Sequence, residues 1–325
     1  MSLIHKRHAA EAAKHAKHAH HAKQHGSAAK AMLPNGLAAR VLSVLPVESR
    51  LLSPVQNVLA TGTAYLDLSI GVTYRAIHLL FSGTLTLAMI TGIRIIANGQ
   101  VIHSVTATQR DMLNQFEKMV AYSTNRVLTI PFVRMGMKGS NTGYFSGLCT
   151  GRASPQCPIP NGIRTLRMEI DIVGATGPGL IAYADVVDAD PAQALQLWRT
   201  EVWNEQVPSG SGNEYTHTHK YQGDVNRATF HRFSFGAADS EVTAFRMLVN
   251  KQEVINRNSK VNEQIQAMQS LRASQSGFVI WDSSEDGNSH PLKLGNVADF
   301  ELHTTHAAGG INMPVIAESL GVLNA

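Results

Sequence analysis

The sequence predicts an all-β chain in which one sandwich module, a jelly roll or a similar antiparallel sandwich, is used twice. Two long segments of the chain match each other at a constant offset of 152 residues without a gap. Short apolar runs alternate with turns rich in glycine. The regular alternation of strands and helices that builds a parallel sheet is absent. A repeat of this length has the size of a domain, not of a solenoid unit.

Nine identical residue pairs at this offset carry the repeat. They are Gly71/Gly223, Arg75/Arg227, Ala76/Ala228, Phe81/Phe233, Ser82/Ser234, Thr91/Thr243, Arg94/Arg246, Asn98/Asn250 and Gln100/Gln252. We predict that the repeated asparagines serve turns and that the repeated Arg94 and Arg246 lie on exposed strand faces. Both halves should follow one order: a strand pair, a hairpin, a helix and a strand, then a loop and final strands.

The composition allows two domains with full cores, because the chain has 325 residues of which 44% are hydrophobic. Only 16% are charged, and this low value favours large surfaces that are buried against other subunits. No apolar run reaches the roughly 18 residues that a membrane-spanning helix needs. The first residues also lack the apolar centre of a secretory signal.

Residues 1–49 are predicted to form an amino-terminal arm, rich in His, Lys and Ala and then apolar. Its first 30 residues hold seven of the fifteen histidines and one acid, Glu11. The cations of these first 30 residues are Lys6, Arg7, Lys14, Lys17, Lys23 and Lys30. Such a cluster can neutralise phosphates of lipid head groups or of DNA. A solvated tail without a fixed partner and adventitious metal binding by the histidines remain alternatives.

Residues 50–190 are predicted to form the first module. Its strands are expected at 65–68, 74–81, 93–97, 100–105, 127–133, 165–173 and 180–187. Asn98-Gly99 between two apolar runs predicts a tight hairpin, because both turn residues must accept positive φ. Thr108 to Tyr122 is predicted to be a helix with Thr108 as its cap.

Residues 191–215 are predicted to be a linker with a short helix, which Asp190-Pro191 would start. Leu195, Trp198 and Val202 would share one face of that helix. Residues 216–325 are predicted to form the second module. Its strands are expected at 228–235, 243–249, 253–256, 277–281 and 298–304, with a helix at 259–272.

Several ordered segments resemble the major capsid protein of corticoviruses, which are membrane-containing icosahedral phages, or of the related finnlakeviruses. The resemblance is carried by Ser69–Ile77, Leu80–Gly83, Val127–Gly139, Leu166–Ile172 and Gly177–Leu180, and by the predicted helix around Trp198. It covers about residues 65–205, and the second half is matched mainly by its pattern. The longer His/Lys-rich arm departs from the corticovirus pattern.

The resemblance implies a double jelly roll, in which two eight-stranded sandwiches stand side by side. It implies a structural protein rather than an enzyme, located in the virion capsid after assembly in the host cytoplasm. Pseudo-hexagonal trimers would tile an icosahedral shell over an internal lipid membrane that encloses DNA. The partners would be neighbouring trimers, penton proteins, and minor capsid or membrane proteins. Independently, sheet edges and broad apolar faces favour self-association in closed symmetry.

A second hypothesis is a bicupin-like metalloenzyme, because His217-Thr218-His219 would place two imidazoles on one strand face near His303 and His306. Cupins follow such a pair with a glutamate, whereas Gly223 and Asp224 stand at those positions. A viral spike or carbohydrate-binding sandwich is a third hypothesis.

A calcium site is possible in the loop 282–288, with Asp282, Glu285 and Asp286 as candidate ligands. The resemblance also allows calcium, since related capsids can be stabilised by ions. A solvated turn is the alternative. Cys149 and Cys157 could form a disulfide or remain two thiols. The sequence contains no nucleophile elbow, phosphate loop or dinucleotide fingerprint.

Overall fold

A computed structural model describes most of the chain from Val47 onward. The described residues are 47–133, 147–150, 162–188, 197–208, 214–218, 229–236, 241–270, 272, 275–284, 292–295, 297–307 and 309–321. Among them, no helix is both long enough and apolar enough to cross a membrane.

The described residues of the first half form nine strands and two helices. They are β1 (Glu48–Leu51), β2 (Gly62–Asp67), β3 (Val72–Ser82), β4 (Ile90–Ala97), β5 (Gln100–Val105), α1 (Ala107–Phe116), α2 (Tyr122–Asn125), β6 (Val127–Pro131), β7 (Leu148–Cys149), β8 (Leu166–Ile172) and β9 (Gly179–Asp188). A single 3-10 turn, Leu87–Met89, precedes β4. One sheet has the order β1-β9-β3-β6, with the two-residue β7 also paired to β3, and β5-β4-β8-β2 form the facing sheet.

The described residues of the second half form nine strands and one helix. They are β10 (Leu197–Val207), β11 (Glu214–Thr218), β12 (Thr229–Phe235), β13 (Val242–Val249), β14 (Gln252–Asn258), α3 (Ser259–Ile265), β15 (Val279–Asp282), β16 (Leu292–Lys293), β17 (Phe300–His306) and β18 (Ile311–Gly321). A π-helical turn, Gln266–Ser270, extends α3. One sheet has the order β10-β18-β12-β15, with β16 also paired to β12, and the other has the order β11-β17-β13-β14.

The two strand orders correspond one to one. Strands β1, β9, β3, β6 and β7 match β10, β18, β12, β15 and β16, and β2, β8, β4 and β5 match β11, β17, β13 and β14. Each half is therefore a sandwich of eight longer strands plus a two-residue strand. The predicted all-β duplication is confirmed.

Each half buries its own core between its two sheets, because apolar side chains alternate along the strands. Leu66, Phe81 and Ile170 lie in the core of the first half. Phe233 and Leu302 lie in the core of the second half, which is richer in aromatic rings. Phe81 and Phe233 are a repeated pair, so the repeat places the same residue at the same depth of each sandwich.

The repeated asparagines serve turns, as predicted. Asn98 and Asn250 both have a φ of 50°, a left-handed conformation that asparagine tolerates. The side-chain oxygen of Asn98 accepts bonds from the backbone N–H groups of residues 164 and 165, at 2.8 and 3.1 Å. That of Asn250 accepts from residues 298 and 299, at 3.1 and 3.3 Å. Each asparagine thus forms a hairpin turn and also binds the strand that enters the sheet beside it.

The repeated Arg94 and Arg246 lie on the outer sheet faces, also as predicted. Their side chains are 32% and 34% exposed. Arg94 donates to Glu169 and Asp171 on β8, and Arg246 donates to Glu214 on β11.

The predicted helix around Trp198 is wrong. Leu197–Val207 is strand β10, which pairs antiparallel with β18 over its whole length. The pattern of apolar and polar side chains in this segment is compatible with both a helical and a strand period. Pairing with β18 and β5 makes it a strand. Residues 189–196, which hold Asp190 and Pro191, lie outside the described residues.

Helix α1 begins earlier than predicted, whereas α3 begins at Ser259, as predicted. Thr106, not Thr108, caps α1, and it forms a reciprocal capping box with Gln109. The helical segment predicted to reach Tyr122 ends at Phe116, and the short α2 follows after a break. Asn258 caps α3. The two caps are themselves 152 residues apart, which extends the repeat beyond its identical pairs.

We expect Gly83→Ala to lower the free energy of unfolding by about 3 kcal/mol or more, because new strain and a backbone clash would coincide. Gly83 has a φ of +65°, and an added Cβ would lie 2.0 Å from the carbonyl oxygen of Gly177. Gly174→Ala is the matched control, since Gly174 has a φ of +72° and an added Cβ would meet no atom within 4 Å. Urea unfolding of both variants measures the difference. Equal losses would contradict the steric argument.

Candidate functional site: the interface between the two halves

The two halves meet where β10 lies beside β5. Thr200 and His103 form a parallel bridge between these strands, which joins one sheet of each half into a continuous sheet. Helix α1 follows β5 directly and packs on the second half. A small apolar cluster of Val105, Leu113 and Phe116 from the first half with Ile280 and Ile316 from the second fills the contact. This interface fixes how the two sandwiches stand relative to each other.

Six buried charged side chains lie at this interface, three positive and three negative. They are Arg110, Glu117, Arg232, Arg272, Asp282 and Glu318, and their side chains are 0–8% exposed. Arg110 and Glu117 belong to the first half, and the other four belong to the second half. Formal charges balance, which a buried network needs because an unpaired charge is costly there.

Arg232 on β12 is the centre of the network. Its Nη1 donates to Glu318 Oε2 at 2.6 Å, its Nη2 to Glu117 Oε1 at 2.5 Å, and its Nε to Asp282 Oδ2 at 2.9 Å. The other oxygen of Glu318 accepts from Arg110 Nη1 at 3.3 Å. Arg232 therefore binds two strands of its own half and the end of α1 from the other half.

Burial and the neighbouring carboxylates act in opposite directions on the pKa values of Arg232 and Arg110. Burial acts to lower the pKa of Arg232, but Glu318, Asp282 and Glu117 outweigh burial and hold that pKa above its usual value. Burial lowers the pKa of Arg110, and Glu318 only partly offsets the effect. Both guanidinium groups stay charged, since an arginine does not lose its proton in a protein.

The ring of Phe116, at the end of α1, packs against two arginines of the network. The guanidinium carbons of Arg232 and Arg272 lie 5.1 and 5.4 Å from the centre of its ring. Cations over an aromatic face are attracted by its quadrupole, and more strongly when both are desolvated. Arg110 also donates from Nε to Asn114 Oδ1 at 3.0 Å, while Asn114 donates to the backbone oxygen of Thr129 at 2.7 Å. The network therefore fastens α1 to both sandwiches.

The structure places one of the three predicted calcium ligands inside this network. Asp282 is fully buried, and its Oδ2 accepts from Arg232 and Arg272. Its Oδ1 accepts from the backbone and hydroxyl of Ser284, at 2.8 and 2.6 Å. Its oxygens thus serve the inter-half interface, whereas Glu285 and Asp286 lie outside the described residues. Calcium binding by this loop stays a prediction.

The cations of the arm, Lys6, Arg7, Lys14, Lys17, Lys23 and Lys30, also lie outside the described residues. So does Cys157, whereas Cys149 is buried in β7. Whether these cysteines pair is therefore untested.

The candidate histidines of the metalloenzyme hypothesis lie on opposite faces of the sheet β11-β17-β13-β14, with His217 and His306 on one face and His303 on the other. The Nε2 atoms of His217 and His306 each lie 2.6 Å from the hydroxyl of Thr304. His303 instead lies beside Glu301, with its Nε2 2.9 Å from Oε2. His219 lies outside the described residues. Among the described side chains, no group of three or more His, Cys, Asp or Glu is placed to hold a metal ion.

Two buried histidines should make stability depend on pH. Burial lowers the pKa of His103 to about 3, with the charge of Arg110 adding to the effect. Burial also lowers the pKa of His217 to about 3, with His306 and His303 adding to it. In the unfolded chain both titrate near pH 6.5. Their contribution to stability is therefore present above about pH 6.5 and falls by about 1.4 kcal/mol per pH unit for each histidine as the pH decreases toward 3.

We expect His217→Gln to reduce this pH dependence. Glutamine can still donate to Thr304 but takes up no proton, so the slope of the free energy of unfolding between pH 6.5 and 4.5 should fall by about 1.4 kcal/mol per pH unit. Urea unfolding at several pH values measures it. His78→Gln, in the first half, controls for removing a histidine, since its side chain is 29% exposed. An unchanged slope in His217→Gln would contradict the prediction.

The sequence analysis missed this interface. The signal that could have found it is a single charge within an apolar strand, such as Arg232 in Thr229–Phe235 and Glu318 in Ile311–Gly321. A charge at such a position is rarely buried unless it is paired. The sequence does not show which charges pair, because the partners are 86 and 208 residues apart.

Comparison with known proteins matches a separate domain profile to each of the two halves of the chain. The sequence profile of the viral coat protein P2 N-terminal domain matches residues 49–187, and that of the viral coat protein P2 C-terminal domain matches residues 201–323. A search of curated protein sequences finds no match.

Solved capsid structures share the fold. The major capsid protein P2 from bacteriophage PM2 has a TM-score of 0.69 at 20% identity, covering 86% of this chain and 98% of that chain. The major capsid protein (MCP) of STIV, the Sulfolobus Turreted Icosahedral Virus, has a TM-score of 0.63 at 11% identity, covering 86% of this chain and 97% of that chain. The PBCV-1 virus capsid has a TM-score of 0.56 at 9% identity, also covering 86% and 97%.

These findings confirm the double jelly roll and the capsid role. The two matching profiles lie on the two sandwiches and leave residues 1–48, 188–200 and 324–325 unmatched. The chain belongs to the viral coat protein P2 family.

Proposed function

We propose that three copies of this chain form a trimer with a pseudo-hexagonal outline, and that such trimers tile an icosahedral virion shell. The observation that carries the proposal is the buried interface between two sandwiches with one strand order. It makes each chain a rigid pair of similar modules, so a ring of three chains presents six similar sides. Closed symmetry is the ordinary outcome of self-association.

Native mass spectrometry and electron microscopy of the purified chain test this proposal. We expect a species of three times the 35.2 kDa of one chain, together with larger assemblies. A chain that stays monomeric at all accessible concentrations would overturn it.

The shell is proposed to enclose a lipid membrane, with the arm facing inward. The first 30 residues of the arm hold six cations against one acid, which suits anionic phosphates, and each cation near such a surface contributes on the order of 1 kcal/mol. Lipid head groups are the proposed partner, and genome DNA is the alternative. We further propose that the shell assembles in the host cytoplasm and contacts penton and minor capsid or membrane proteins. The proposed role is structural, without catalysis.

Vesicle flotation tests the arm. The full chain should float with vesicles that contain phosphatidylglycerol but not with neutral phosphatidylcholine vesicles, and added salt should weaken binding. A variant that lacks residues 2–25 should lose binding while its trimer mass stays unchanged. Retention of duplex DNA without vesicle binding would favour DNA, and equal binding by the deletion variant would exclude the arm from both roles.

A further inference from the structure

We propose that the five-stranded sheet of the first half binds helix α3 and strand β14 of a second copy of this chain. The contact would copy the one inside each chain, where the matching sheet of the second half receives α1 and β5. This inference rests on the trimer proposed above and names the surfaces that would close it. The contact is head-to-tail, since every copy carries both surfaces, and a head-to-tail contact can close into a ring.

The strand edges provide the first argument. Strand β10 pairs with β18 on one side and with β5 on the other. Its counterpart β1 pairs, within the described residues, with β9 alone, and all four of its residues are exposed. Strand β14, the counterpart of β5, likewise pairs within the described residues with β13 alone, and most of it is exposed. Within the described part of the chain, the repeat therefore uses one edge pair internally and leaves the equivalent pair without a partner strand. An open edge is a template for pairing with another chain.

The helices provide the second argument. Helices α1 and α3 start from caps 152 residues apart, and ten residues after each cap stand Phe116 and Met268. Phe116 is 1% exposed because it is covered by the second half, whereas Met268 is 69% exposed. Val261 on α3 is 53% exposed. The position that anchors α1 at the internal interface is thus occupied on α3 by a flexible apolar side chain that nothing described in the chain covers.

The sheet that would receive α3 is apolar where the internal one is charged. With Phe81 aligned to Phe233, the preceding residues are Leu80 and Arg232. Their neighbours on the adjacent strands form two corresponding sets: Ile181 and Val127 beside Leu80, and Glu318 and Asp282 beside Arg232.

Leu51, Leu80, Val127, Ile181 and Tyr183 form the outer apolar patch of this sheet. Leu51, Ile181 and Tyr183 are 66%, 44% and 39% exposed. Exposed apolar groups that share one sheet face mark an interaction site more strongly than scattered ones do.

The helix that would bind this sheet also carries uncharged residues where α1 carries charged ones. At the repeat offset, Arg110 and Glu117 of the first half correspond to Asn262 and Gln269. At these matched positions, both sides of the internal interface therefore carry charged side chains, and both sides of the open one carry uncharged side chains. This matching change on two surfaces that do not touch within one chain favours a second copy as the occupant.

Polar groups around the apolar patch are already satisfied within the chain. His78 Nε2 lies 3.1 Å from Asp185 Oδ2, and its Nδ1 lies 3.0 Å from the hydroxyl of Thr129. The other oxygen of Asp185 accepts from Ser49. Covering groups that keep their hydrogen bonds avoids the penalty of leaving buried donors or acceptors unpaired.

Charge insertion tests the proposal. Ile181→Glu and, separately, Met268→Glu should raise the concentration at which trimers dissociate by about 100-fold or more, because an unpaired carboxylate would be buried. Val173→Glu is the control, since Val173 is 50% exposed in the turn after β8. Sedimentation measures the trimer, and circular dichroism checks that each variant is folded.

A wild-type trimer that both glutamate variants leave intact would overturn this inference and leave the proposed function standing. The same result is expected if residues 1–46 of the same chain cover the patch. A wild-type chain that never forms a trimer would instead overturn the proposed function, and this inference with it.

Cross-linking gives a second test that does not depend on weakening the assembly. Inside the chain Phe116 lies over Arg232, so Met268 of one copy should contact Leu80 of the next. A chain carrying both Leu80→Cys and Met268→Cys should oxidise to covalent dimers and trimers, while either single variant and the wild type, with Cys149 and Cys157, should not. Intact trimers without cross-links in the double variant would contradict the proposed contact.

Discussion

Replacing Arg232 by methionine is expected to lower the free energy of unfolding by about 3–5 kcal/mol, since one partner would be lost from a buried ion network. Methionine keeps much of the side-chain volume but leaves Glu318, Asp282 and Glu117 without their common donor. Arg110 and Arg272 remain, so the net charge of the interface would shift from zero to minus one. Urea unfolding followed by circular dichroism measures the loss.

Arg246→Met is the matched control. Arg246 also binds carboxylates, but it lies on an outer face with a side chain 34% exposed. An exposed ion pair is worth about 0–1 kcal/mol, so the control should lose no more than that. A loss below about 1 kcal/mol in Arg232→Met would show that the network stabilises the interface little.

Truncating Phe233 to alanine is expected to cost about 3–5 kcal/mol, because it would leave a cavity in the aromatic core of the second half. Phe233 is fully buried, and its ring centre lies 5.3 Å from Phe230, 6.1 Å from Trp281 and 6.2 Å from Phe300. The surrounding rings are rigid and cannot close the space. Val173→Ala is the control, since Val173 is 50% exposed in the turn after β8, and it should change stability by less than about 0.5 kcal/mol.

The same experiment in the first half reports on coupling between the halves. Phe81→Ala, at the matching position, should shift the same single unfolding transition as Phe233→Ala, because the buried interface makes the two sandwiches unfold together. Two separate transitions, each moved by one of the variants, would contradict this coupling.

Much of the fold was predictable from local signals. Alternation of apolar residues located most strands, and Asn98-Gly99 gave the first hairpin correctly. The repeat then predicted the order of the second half, including the turn at Asn250. The helix predicted around Trp198 failed because Leu195, Trp198 and Val202 also satisfy a helical period, while the partner strands that decide the matter lie about 120 residues away. Strand β18 was missed although it is one of the longest.

The candidate site was not predictable in the same way. The arm and the acidic loop were selected for their composition, and Asp282 proved to belong to a network that the composition does not reveal. Burial of a charge is decided by distant partners, and nothing local distinguishes Arg232 in a buried network from Arg246 on an outer face. The repeat places both arginines in strands, but only the folded pair of sandwiches shows which one is covered.

The central position of β18 has a consequence for biosynthesis. This strand lies between β10 and β12 and contributes Glu318 to the buried charges. During translation the first sandwich has all its strands once the ribosome has passed Asp188, whereas the second lacks its middle until Gly321 has been added. Domains commonly fold as the chain emerges, the earlier one first. The nascent protein should therefore carry one finished sandwich and one open sheet for several seconds, during which a chaperone holdase would protect the exposed strands of the unfinished half.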